Sequence, residues 1–587
     1  MSMTMTVATA STAWVRAAAQ SELEPYGMKT VSVGGRTLVL WRYEDRVYAL
    51  DNRCPHMGFP LDRGTLRDGL VSCHWHNARF DIKTGGTFDQ FADDVQVFPT
   101  EERDGVIWVD LSVQRDARSY YRRRLADGLK QDIRLVLAKA AIALYETGDT
   151  VEVFRTGLLF GVRNRRMGWG QGLTMLTCLM RLLPQLAVED RPRALFHGLD
   201  AVSRDTAGAA PRFTLDPLPG VAPDLPTLKR WLRQFLEVRD DEGAERAIVS
   251  AVRAGATGPQ LADMLFAAAT DHHYIQVGHA LDFINKALDA LDIIGWEQSV
   301  TEEVLSSVVR GIAQGDRQEE RNAWRHPVDL VAILHDAFPQ IAAALSDGQA
   351  LRGTWQGYNE LAQQLLSDDP QANVEALLTA LRQGASEQEL ANAATYAAAL
   401  RIARFHTSQE HGDWDTTLHT FTFANAVQQG LRRAPSPELL RGVFDAAMSI
   451  YLDRFLNIPA AKIAQPARNG ATPDMLLAEL PALLDRQQQV NQAGELVAHY
   501  FAAGGTDEQL LAMLGKALLR EDRDFHTIQT VETAFTQYHS LRGTPAGSHV
   551  LIAAARYLAA HAPTARAQGQ TYTIALRLHR GDKLFEE

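Results

Sequence analysis

Two patterns of hydrophobic and polar positions divide the chain near residue 120. Apolar and polar side chains alternate within 37–41 and 47–50, on either side of a polar turn. A period of two is typical of strands that bury one face. The segments 96–98 and 106–109 predict a second hairpin, joined by a charged turn. Short strands at this spacing predict a small antiparallel sandwich.

From about residue 125 onward, apolar residues recur at the spacing of a helix face instead. Gly or Pro interrupts this pattern at intervals of roughly 15–25 residues, as expected for helices that end and restart. A Pro-rich interval at 211–226 predicts an ordered excursion across the surface. We therefore predict a multidomain protein with a small all-β sandwich at 13–112, a linker at 113–124 and a large all-α domain at 125–587.

Three segments of the helical region share a start and a following histidine. Each start is a Ser or Thr followed three residues later by Glu or Gln, a capping box that satisfies free N–H groups at a helix end; the starts are Thr257, Ser386 and Thr506. A histidine in the form His-x-x-Gln follows each start, and another potential ligand lies thirteen residues beyond it. These pairs are His273 with Lys286, His406 with His419, and His526 with His539. The all-α domain is thus predicted to contain divergent internal helical repeats.

Composition narrows the class of protein without identifying it. The 587 residues are too many for one hydrophobic core, and 46% hydrophobic with 22% charged residues is ordinary for a soluble protein. The net charge of −12 argues against a nucleic-acid partner, which requires a basic face. We find no signal peptide and no run of about eighteen apolar residues, so we expect no membrane span and a cytoplasmic location. With three cysteines no disulfide framework is expected, and Cys178, in an apolar run, is interpreted as a buried inert thiol.

The other two cysteines belong to the most informative motif of the chain. It consists of Cys54 and His56, sixteen intervening residues, and then Cys73 and His76. Two thiolates on one iron and two neutral imidazoles on the other are what a Rieske [2Fe–2S] cluster requires. A zinc site is the alternative, but zinc sites favour Cys-x2–4-Cys and His-x3–5-His spacings.

The sequence around these four residues resembles the Rieske ferredoxin family over roughly 13–112. The segments that carry the resemblance are CPHMGFPLDRG and GLVSCHWHNARFDIKTGG. The resemblance implies that Cys54, His56, Cys73 and His76 hold the cluster. No third cysteine lies nearby, so the similarity is to the low-potential, oxygenase-associated branch of the family. That branch implies an electron carrier that feeds a second redox centre.

The helical domain offers candidate ligands for such a second centre. Helical repeats place equivalent positions at equivalent points in space, so histidines from several helices can converge on one metal ion. On one unbroken helix, residues thirteen apart point about 140° away from each other, so a break near Gly278 or Gly412 is required. The alternative is that these histidines are satisfied core residues. The candidate ligands are His197, His273, His279, Lys286, His406, His419 and His526, the lysine only if it is deprotonated or carboxylated.

Several other polar residues are candidates for supporting roles. A spacing of seven predicts that His272, His279 and Lys286 share one helix face. Glu319, Glu320 and His326 could support ligands or form a plain surface network. The dipeptide at 335–336, His335-Asp336, resembles the metal-binding pair of HD-type helical enzymes.

The helical region also resembles known helical families. The stretches VGHALDFINKALDALDIIGW and ARFHTSQEHGDWDTTLHTFTFANA are similar to a helical family found fused to, or beside, Rieske domains. Scattered histidines over roughly 150–560 resemble the questin oxidase-like oxygenases, which implies a non-haem iron oxygenase for an aromatic or polyketide-like substrate. Common Rieske oxygenases carry an Asp-x2-His-x4-His run, and Asp271, His272 and His279 do not have that spacing. The α/β catalytic domain of those enzymes is therefore not expected.

We predict a Rieske-containing non-haem iron oxygenase, an oxidoreductase whose cluster passes electrons to a histidine-held iron for O2 activation on a small organic substrate. The electron donor is expected to be a reductase or a reduced ferredoxin, and the substrate is aromatic if the questin oxidase resemblance holds. A homo-oligomer is expected only by analogy with ring-forming Rieske oxygenases. Two alternatives stay open. One is a Rieske electron carrier or redox sensor with a metal-free helical docking module, and the other is a helical metal hydrolase with an appended sensor cluster.

Overall fold

The chain forms two compact units. The first comprises Met1–Val153 and Gln570–Glu587, and the second comprises Phe154–Gly569. Both crossings between the units fall inside helices. The structure, a computed structural model, describes residues 14–23, 27–113, 116–221, 223–407, 411–467, 470–582 and 584, with the backbone alone at residue 411.

The first unit begins as an antiparallel β-sandwich of three small sheets. Its strands are β1 Trp14–Ala19, β2 Met28–Val33, β3 Arg36–Tyr43, β4 Arg46–Asp51, β5 Thr65–Arg67, β6 Leu70–Ser72, β7 Arg79–Asp81, β8 Val97–Phe98, β9 Thr100–Arg103 and β10 Val106–Asp110. The strand orders of the sheets are β1-β10-β9, β2-β3-β4-β8 and β5-β6-β7. The first Cys–His motif lies in the loop before β5, and the second lies in the loop between β6 and β7. Strands β5 and β6 therefore lie between the two motifs in the sequence.

The first predicted hairpin is confirmed, and the second is corrected. β3 pairs with β4, as the alternation over 37–50 predicts. In contrast, β8 pairs with β4, whereas β10 pairs with β9 and β1. The charged segment 101–103, which we interpreted as a turn, belongs to β9 at the edge of its sheet, where its side chains are exposed. Charged side chains are common on edge strands because they oppose pairing with other chains.

Two apolar cores lie inside the sandwich. One contains Val39, Leu50 and Phe80 together with Cys54 and Cys73. The other is built around β2, β3 and β10. Burial of one such large apolar side chain contributes about 1.5–3 kcal/mol. The first core therefore anchors both cysteines, and with them the loops that carry the predicted ligands.

The predicted linker at 113–124 is corrected by the structure. Helix α1 (Ala117–Gln131) begins inside it, and the carboxylate of Asp116 caps this helix by accepting from N–H groups of the first turn. A second helix, α2 (Arg134–Glu146), follows, and both belong to the first unit. The stretch has the charged composition of a linker. One of its charged residues, Arg124, is nevertheless buried, where it forms an ion pair with Asp93.

The second unit is helical throughout the part that the structure describes. Helix α3 crosses into this unit and α23 crosses back out of it. None of the described helices has the length and apolarity needed to cross a bilayer. The fold class is thus confirmed as a small β domain followed by a large all-α region. The helices are α3 Thr150–Arg163, α4 Gln171–Leu182, α5 Arg191–Thr206, α6 Leu225–Glu237, α7 Asp241–Arg253, α8 Gly258–Ala269, α9 His279–Ile294, α10 Gln298–Gln314, α11 Leu330–Ala337, α12 Ile341–Asp347, α13 Tyr358–Gln364, α14 Pro370–Arg382, α15 Glu387–Ala403, α16 His411–Arg433, α17 Pro437–Leu452, α18 Pro473–Leu484, α19 Val490–Ala502, α20 Asp507–Leu519, α21 Phe525–Ser540, α22 Pro545–Ala560 and α23 Ala567–Arg580.

The predicted repeat starts are helix N-caps. Thr257 and Ser386 form capping boxes with Gln260 and Glu389 at the starts of α8 and α15. Thr506 stands at the N-cap position of α20, but its side chain makes no capping hydrogen bond, so the capping box predicted there is not formed. The helices that follow these three are α9, α16 and α21. Each repeat therefore contains a helix that begins at one of these N-caps, followed by α9, α16 or α21.

The central group is a closed ring of four helices. α4 packs against α9, α9 against α16, α16 against α21, and α21 against α4. A four-helix arrangement brings side chains from distant parts of the chain to one shared interior. The interior of this ring is where the structure gathers most of the buried polar side chains discussed below.

Candidate metal centres

The two Cys–His loops of the first unit are the same turn built twice. The N–H groups of Cys54 and Cys73 each donate to the carbonyl five positions later, at 2.8 and 2.9 Å. The residues four positions after the cysteines are Gly58 and Asn77, whose φ angles are +83° and +61°. Each donates its N–H back to the carbonyl of its cysteine. Glycine and asparagine adopt this left-handed conformation most readily, so both loops present their side chains in the same way.

The two cysteine side chains form one pair of donors. Both are buried, and the thiol of Cys54 hydrogen-bonds to the sulfur of Cys73. That hydrogen bond lowers the pKa of Cys73 to about 6 and, together with burial, raises the pKa of Cys54. The backbone N–H groups two and three positions after each cysteine also bond to its sulfur. Such N–H···S bonds stabilise thiolates and tune the potential of a bound cluster.

The two histidines form the other pair. The ring centroids of His56 and His76 are 4.7 Å apart, and the ring planes are 82° from parallel. Nδ1 of His56 is buried and has no hydrogen-bond partner among the described residues, which is rare for a buried polar atom. Burial, and then the charge of Lys139, lowers the pKa of His56 to about 4, so its imidazole is neutral. A pair of thiols and a pair of imidazoles fit a two-iron cluster with unlike ends.

Comparison with known families agrees with this set of donors. Residues 13–99 match the family model of the Rieske [2Fe-2S] domain. The first unit therefore contains a Rieske [2Fe–2S] domain, as the resemblance over 13–112 implied. The match covers this part of the chain alone.

Individual relatives include ferredoxin components of dioxygenase systems. The ferredoxin component of the naphthalene 1,2-dioxygenase system of Pseudomonas putida is 29% identical over 100 residues, which are 17% of this chain and 96% of that protein. Apoptosis-inducing factor 3 of Mus musculus is 40% identical over 68 residues, 12% of this chain and 11% of its own length. This chain thus spans about a tenth of that relative. The solved ferredoxin of carbazole 1,9a-dioxygenase from Nocardioides aromaticivorans IC177 is 28% identical and covers 16% of this chain and 96% of its own, with a TM-score of 0.16.

The family match and the similarity to the ferredoxin component from Pseudomonas putida support an electron-carrier role for the Rieske domain. They each cover less than a fifth of the chain. The resemblance of the helical region to questin oxidase-like oxygenases is therefore not confirmed and stays a prediction. The function of the helical unit has to be argued from its own side chains.

A buried ion-pair network supports the first ligand loop. Lys139 of α2 donates to the carbonyls of Pro55 and His56 and to the carboxylate of Asp93. Arg124 of α1 donates to the same carboxylate at 2.9 Å. Burial alone would raise the pKa of Asp93, but these two positive charges outweigh it and leave that pKa lowered. The first two helices therefore hold the cluster loop and are part of its domain.

Replacing Lys139 with methionine is expected to shift the reduction potential of the cluster to more negative values. A nearby positive charge favours the reduced cluster, and its loss is worth on the order of tens of millivolts. Potentiometric titration of the full-length protein, followed by EPR, measures the shift. The control is Lys130→Met, which removes an exposed lysine from α1. Equal potentials in the two variants would show that the buried cation does not act on the cluster.

Three histidines of the second unit converge on one point. His279 is the first residue of α9, His419 lies in α16 and His526 in α21. One ring nitrogen of each lies within 4.8 Å of the other two. Nε2 of His419 and Nε2 of His526 are 3.0 Å apart, and the ring centroids of His279 and His419 are 4.6 Å apart. All three residues are among the predicted ligands, and all belong to the ring of four helices.

The imidazoles of His419 and His526 have a spacing that suits one shared metal ion. Two nitrogens that each lie about 2.1 Å from one ion, at a right angle, are about 3.0 Å from each other. That is the separation of the two Nε2 atoms of His419 and His526. Burial, followed by repulsion from the neighbouring imidazoles, lowers the pKa of His279 and of His419 to about 3. Neutral imidazoles keep a lone pair for a metal, and iron is among the metals that they suit.

Asp415 supports this group and was missed by the sequence analysis. Its Oδ2 lies 3.5 Å from Nδ1 of His526, and its Oδ1 accepts a hydrogen bond from the hydroxyl of Tyr557 at 2.6 Å. A carboxylate behind a ligating imidazole fixes the orientation and tautomer of the ring. The signal in the sequence is that Asp415 lies one helical turn before His419, on the same face of α16.

His279 reaches the centre because of the backbone that precedes it. φ is positive at four of the five residues 274–278, including the β-branched Val277. Strain of this kind is worth about 1–3 kcal/mol per residue and clusters at functional sites. The helix break predicted near Gly278 is thus present, and α9 begins directly after it. A break also lies near Gly412, because α16 begins at His411 and His406 precedes it.

Three other predicted ligands lie outside the group of three. His197 is buried in α5, where burial lowers its pKa to about 3. Nδ1 of His273 lies 2.7 Å from the buried carboxylate of Asp445, and its ring stacks on Trp324. His406 precedes α16 and is not one of the converging histidines. The repeat therefore predicts helix starts correctly but does not predict which of its histidines meet.

Lys286 is a correction to the predicted ligand set. Its Nζ lies 2.5 Å from the carboxylate of Glu532, and Arg181 binds the same carboxylate at 2.8 Å. Burial works against the charge of Lys286, but Glu532 outweighs it and raises the pKa above its ordinary value. A protonated amine has no lone pair for a metal. One helical turn before Lys286 on α9, Asp282 accepts a hydrogen bond from the side-chain amide of Gln529. Polar contacts between α9 and α21 therefore continue from His279 to Lys286.

The remaining candidates have ordinary structural roles. Glu319 pairs with His272 at 2.8 Å, before the helix break, so His272 is not on the helix face that we predicted it to share. Glu320 binds a surface arginine. The side chains of His335 and Asp336 are each 86% exposed and form no buried metal site.

Proposed function

We propose that the protein is a Rieske-dependent non-haem iron oxygenase. In this proposal His279, His419 and His526 hold one iron in the helical unit, and the Rieske domain supplies electrons to it. The external donor is a reductase or ferredoxin, and the substrate is a small organic molecule. The relative from Pseudomonas putida is by name the ferredoxin component of a dioxygenase system, which supports an oxygenase role for a chain with this domain.

The observation that carries the proposal is the convergence of three imidazoles from three different helices. A hydrogen bond between one protonated and one unprotonated Nε2 would also explain the 3.0 Å between His419 and His526, but it would leave the ring of His279 beside them unexplained. A shared metal ion satisfies both lone pairs at once. The same chain carries a one-electron donor in its first unit, which is what O2 chemistry at iron requires.

Each residue of the centre has a separate role in this proposal. The three imidazoles would hold the iron, which would supply O2 activation when bound. Oδ2 of Asp415 lies 3.5 Å from Nδ1 of His526 and favours the tautomer that carries its proton on Nδ1, which leaves Nε2 for the metal. Tyr557 donates to Asp415 and holds that carboxylate in place.

The iron content of the anaerobically purified full-length protein tests the proposal. A Rieske cluster accounts for two irons per chain, so we expect three. His419→Ala is expected to lower the count to two and to leave the EPR signal of the reduced cluster unchanged, because it removes a ligand of the helical site only. His335→Ala replaces an exposed histidine and should retain three.

Other outcomes point to the two alternatives. Two irons in the wild-type chain, with no other metal, would favour an electron carrier or redox sensor with a metal-free helical module. A different metal at the helical site, with turnover in the absence of O2, would favour the metal hydrolase. Either result contradicts the oxygenase proposal.

A further inference from the structure

A cavity of about 570 Å³ in the second unit opens beside the three histidines. His419 belongs to both places, since it is one of the converging histidines and also lines the cavity. The volume falls in the range of about 300–1,000 Å³ typical of small-molecule sites. A molecule bound there would therefore lie next to the proposed iron.

Aromatic side chains line part of the cavity. The rings of Tyr274 and Trp324 pack against each other there, with centroids 6.0 Å apart and planes 27° from parallel, and they are 6% and 2% exposed. Leu330 and Leu452 add aliphatic surface, and Phe455 is 61% exposed. A lining of aromatic and aliphatic side chains favours aromatic ligands, because contacts between rings add to the gain from burying apolar area.

A single buried carboxyl group interrupts this apolar lining. Asp453 is 3% exposed, and its Oδ2 accepts a hydrogen bond from Thr420 at 2.7 Å. Thr420 also bonds to Ser449 at 2.7 Å and lies 3.4 Å from the hydroxyl of Tyr274, so these hydroxyls satisfy one another. No described residue donates to Oδ1 of Asp453, which leaves this oxygen available to a ligand. Burial raises the pKa of Asp453 to about 7, and a carboxyl oxygen accepts hydrogen bonds in either protonation state.

Arg454 also lines the cavity, but its charge is engaged elsewhere. Its guanidinium lies over the rings of Tyr451 and Phe455, 3.8 and 4.0 Å from their centroids. It also donates to the carbonyl of Tyr451 at 3.0 Å. The polar end of the cavity therefore offers an acceptor at Asp453, while the guanidinium of Arg454 already has partners within the protein.

We propose that this cavity is the substrate site of the histidine centre. It takes a neutral, planar aromatic molecule of two or three fused rings, whose hydroxyl group donates a hydrogen bond to Asp453. The fused rings pack on Tyr274 and Trp324, and the hydroxyl supplies the donor that Asp453 lacks. This inference rests on the proposed function for the identity of the neighbouring centre, but the binding site itself is defined by the cavity.

Calorimetric titration of the full-length protein, as purified and without reductant, tests the inference. The probes are 2-naphthol, 2-methoxynaphthalene, which has the same rings but no donor, and 2-naphthoate, which is anionic. We expect 2-naphthol to bind about tenfold more tightly than either, the usual effect of one hydrogen bond to a buried carboxyl group. Asp453→Leu, which removes the acceptor, should weaken 2-naphthol binding about tenfold and remove its advantage over the methoxy compound. Asp190→Leu, which changes a buried carboxyl group that does not line the cavity, should leave binding unchanged.

Absence of 2-naphthol binding, equal binding of the methoxy compound, or tightest binding of 2-naphthoate would each overturn the inference. These comparisons use the wild-type protein, so they do not depend on the folding of a variant. Iron content measured on the same sample separates this inference from the proposed function. If the protein holds two irons per chain and binding depends on Asp453, the inference about the cavity stands and the proposed iron centre is contradicted. If it holds three irons and 2-naphthol does not bind, the iron centre is supported and the inference about the cavity is contradicted.

Discussion

Replacing Cys73 with alanine is expected to remove the cluster and to lower the iron content from three per chain to one. Cys73 supplies one of the two thiolates of a Rieske cluster, and alanine has no atom that can take its place. The visible absorption and the EPR signal of the reduced cluster should disappear together. O2 consumption with an electron donor and substrate should fall to background, because the domain that supplies electrons has lost its redox group.

Cys178→Ala is the matched control for this experiment. Cys178 is fully buried in α4, and burial raises the pKa of its thiol well above the ordinary value, which agrees with the predicted inert thiol. The control should keep three irons and its O2 consumption. A cluster signal that survives in Cys73→Ala would show that this cysteine is not a ligand.

Replacing Lys286 with methionine is expected to lower the free energy of unfolding of the helical unit by about 3 kcal/mol. Methionine keeps the packing of the long side chain but removes the charge, and breaking a buried ion pair costs about 3–5 kcal/mol. Arg181 still binds Glu532, so we expect the lower end of that range. Chemical denaturation followed by circular dichroism measures the loss.

The pH dependence of this loss has a definite sign. The charges of Lys286 and Arg181 outweigh burial and lower the pKa of Glu532 from 4.5 to about 2. The stabilisation from this group is therefore present above pH 4.5 and is lost as the pH falls toward 2. The difference between wild type and Lys286→Met should shrink over the same interval. The control is Lys229→Met, which breaks a partly exposed ion pair and should cost less than about 1 kcal/mol.

The Rieske donors could be predicted from the sequence because they are a local property of the chain. All four lie between Cys54 and His76, and the residues that shape the turns lie beside them. The support from Lys139 could not be predicted, because α2 follows the strands and nothing in its local pattern indicates a contact with the loop at Pro55. Alternation and helical spacing likewise predicted the fold class, since both depend on neighbouring positions only.

The histidine centre could be predicted only in part. The repeat singled out His419 and His526 as candidates, but it aligned His526 with His273 and His406, and those two do not join the group. The third histidine of the centre is His279, which is placed by the backbone break before α9. Which histidines meet depends on the offset between packed helices that are more than a hundred residues apart in the chain, and no local pattern encodes that offset.

The glycine before His279 has a consequence for finding related genes. Gly278 has a φ of +91°, and a Cβ atom there would lie 2.9 Å from the side chains of both Phe423 and Tyr274. Any other residue would be disfavoured by conformation and by contact at the same position. A genome search for proteins with this centre should therefore require the dipeptide Gly-His at the start of a helix. That short signature survives insertions between distant helices, which would shift every spacing among the other histidines.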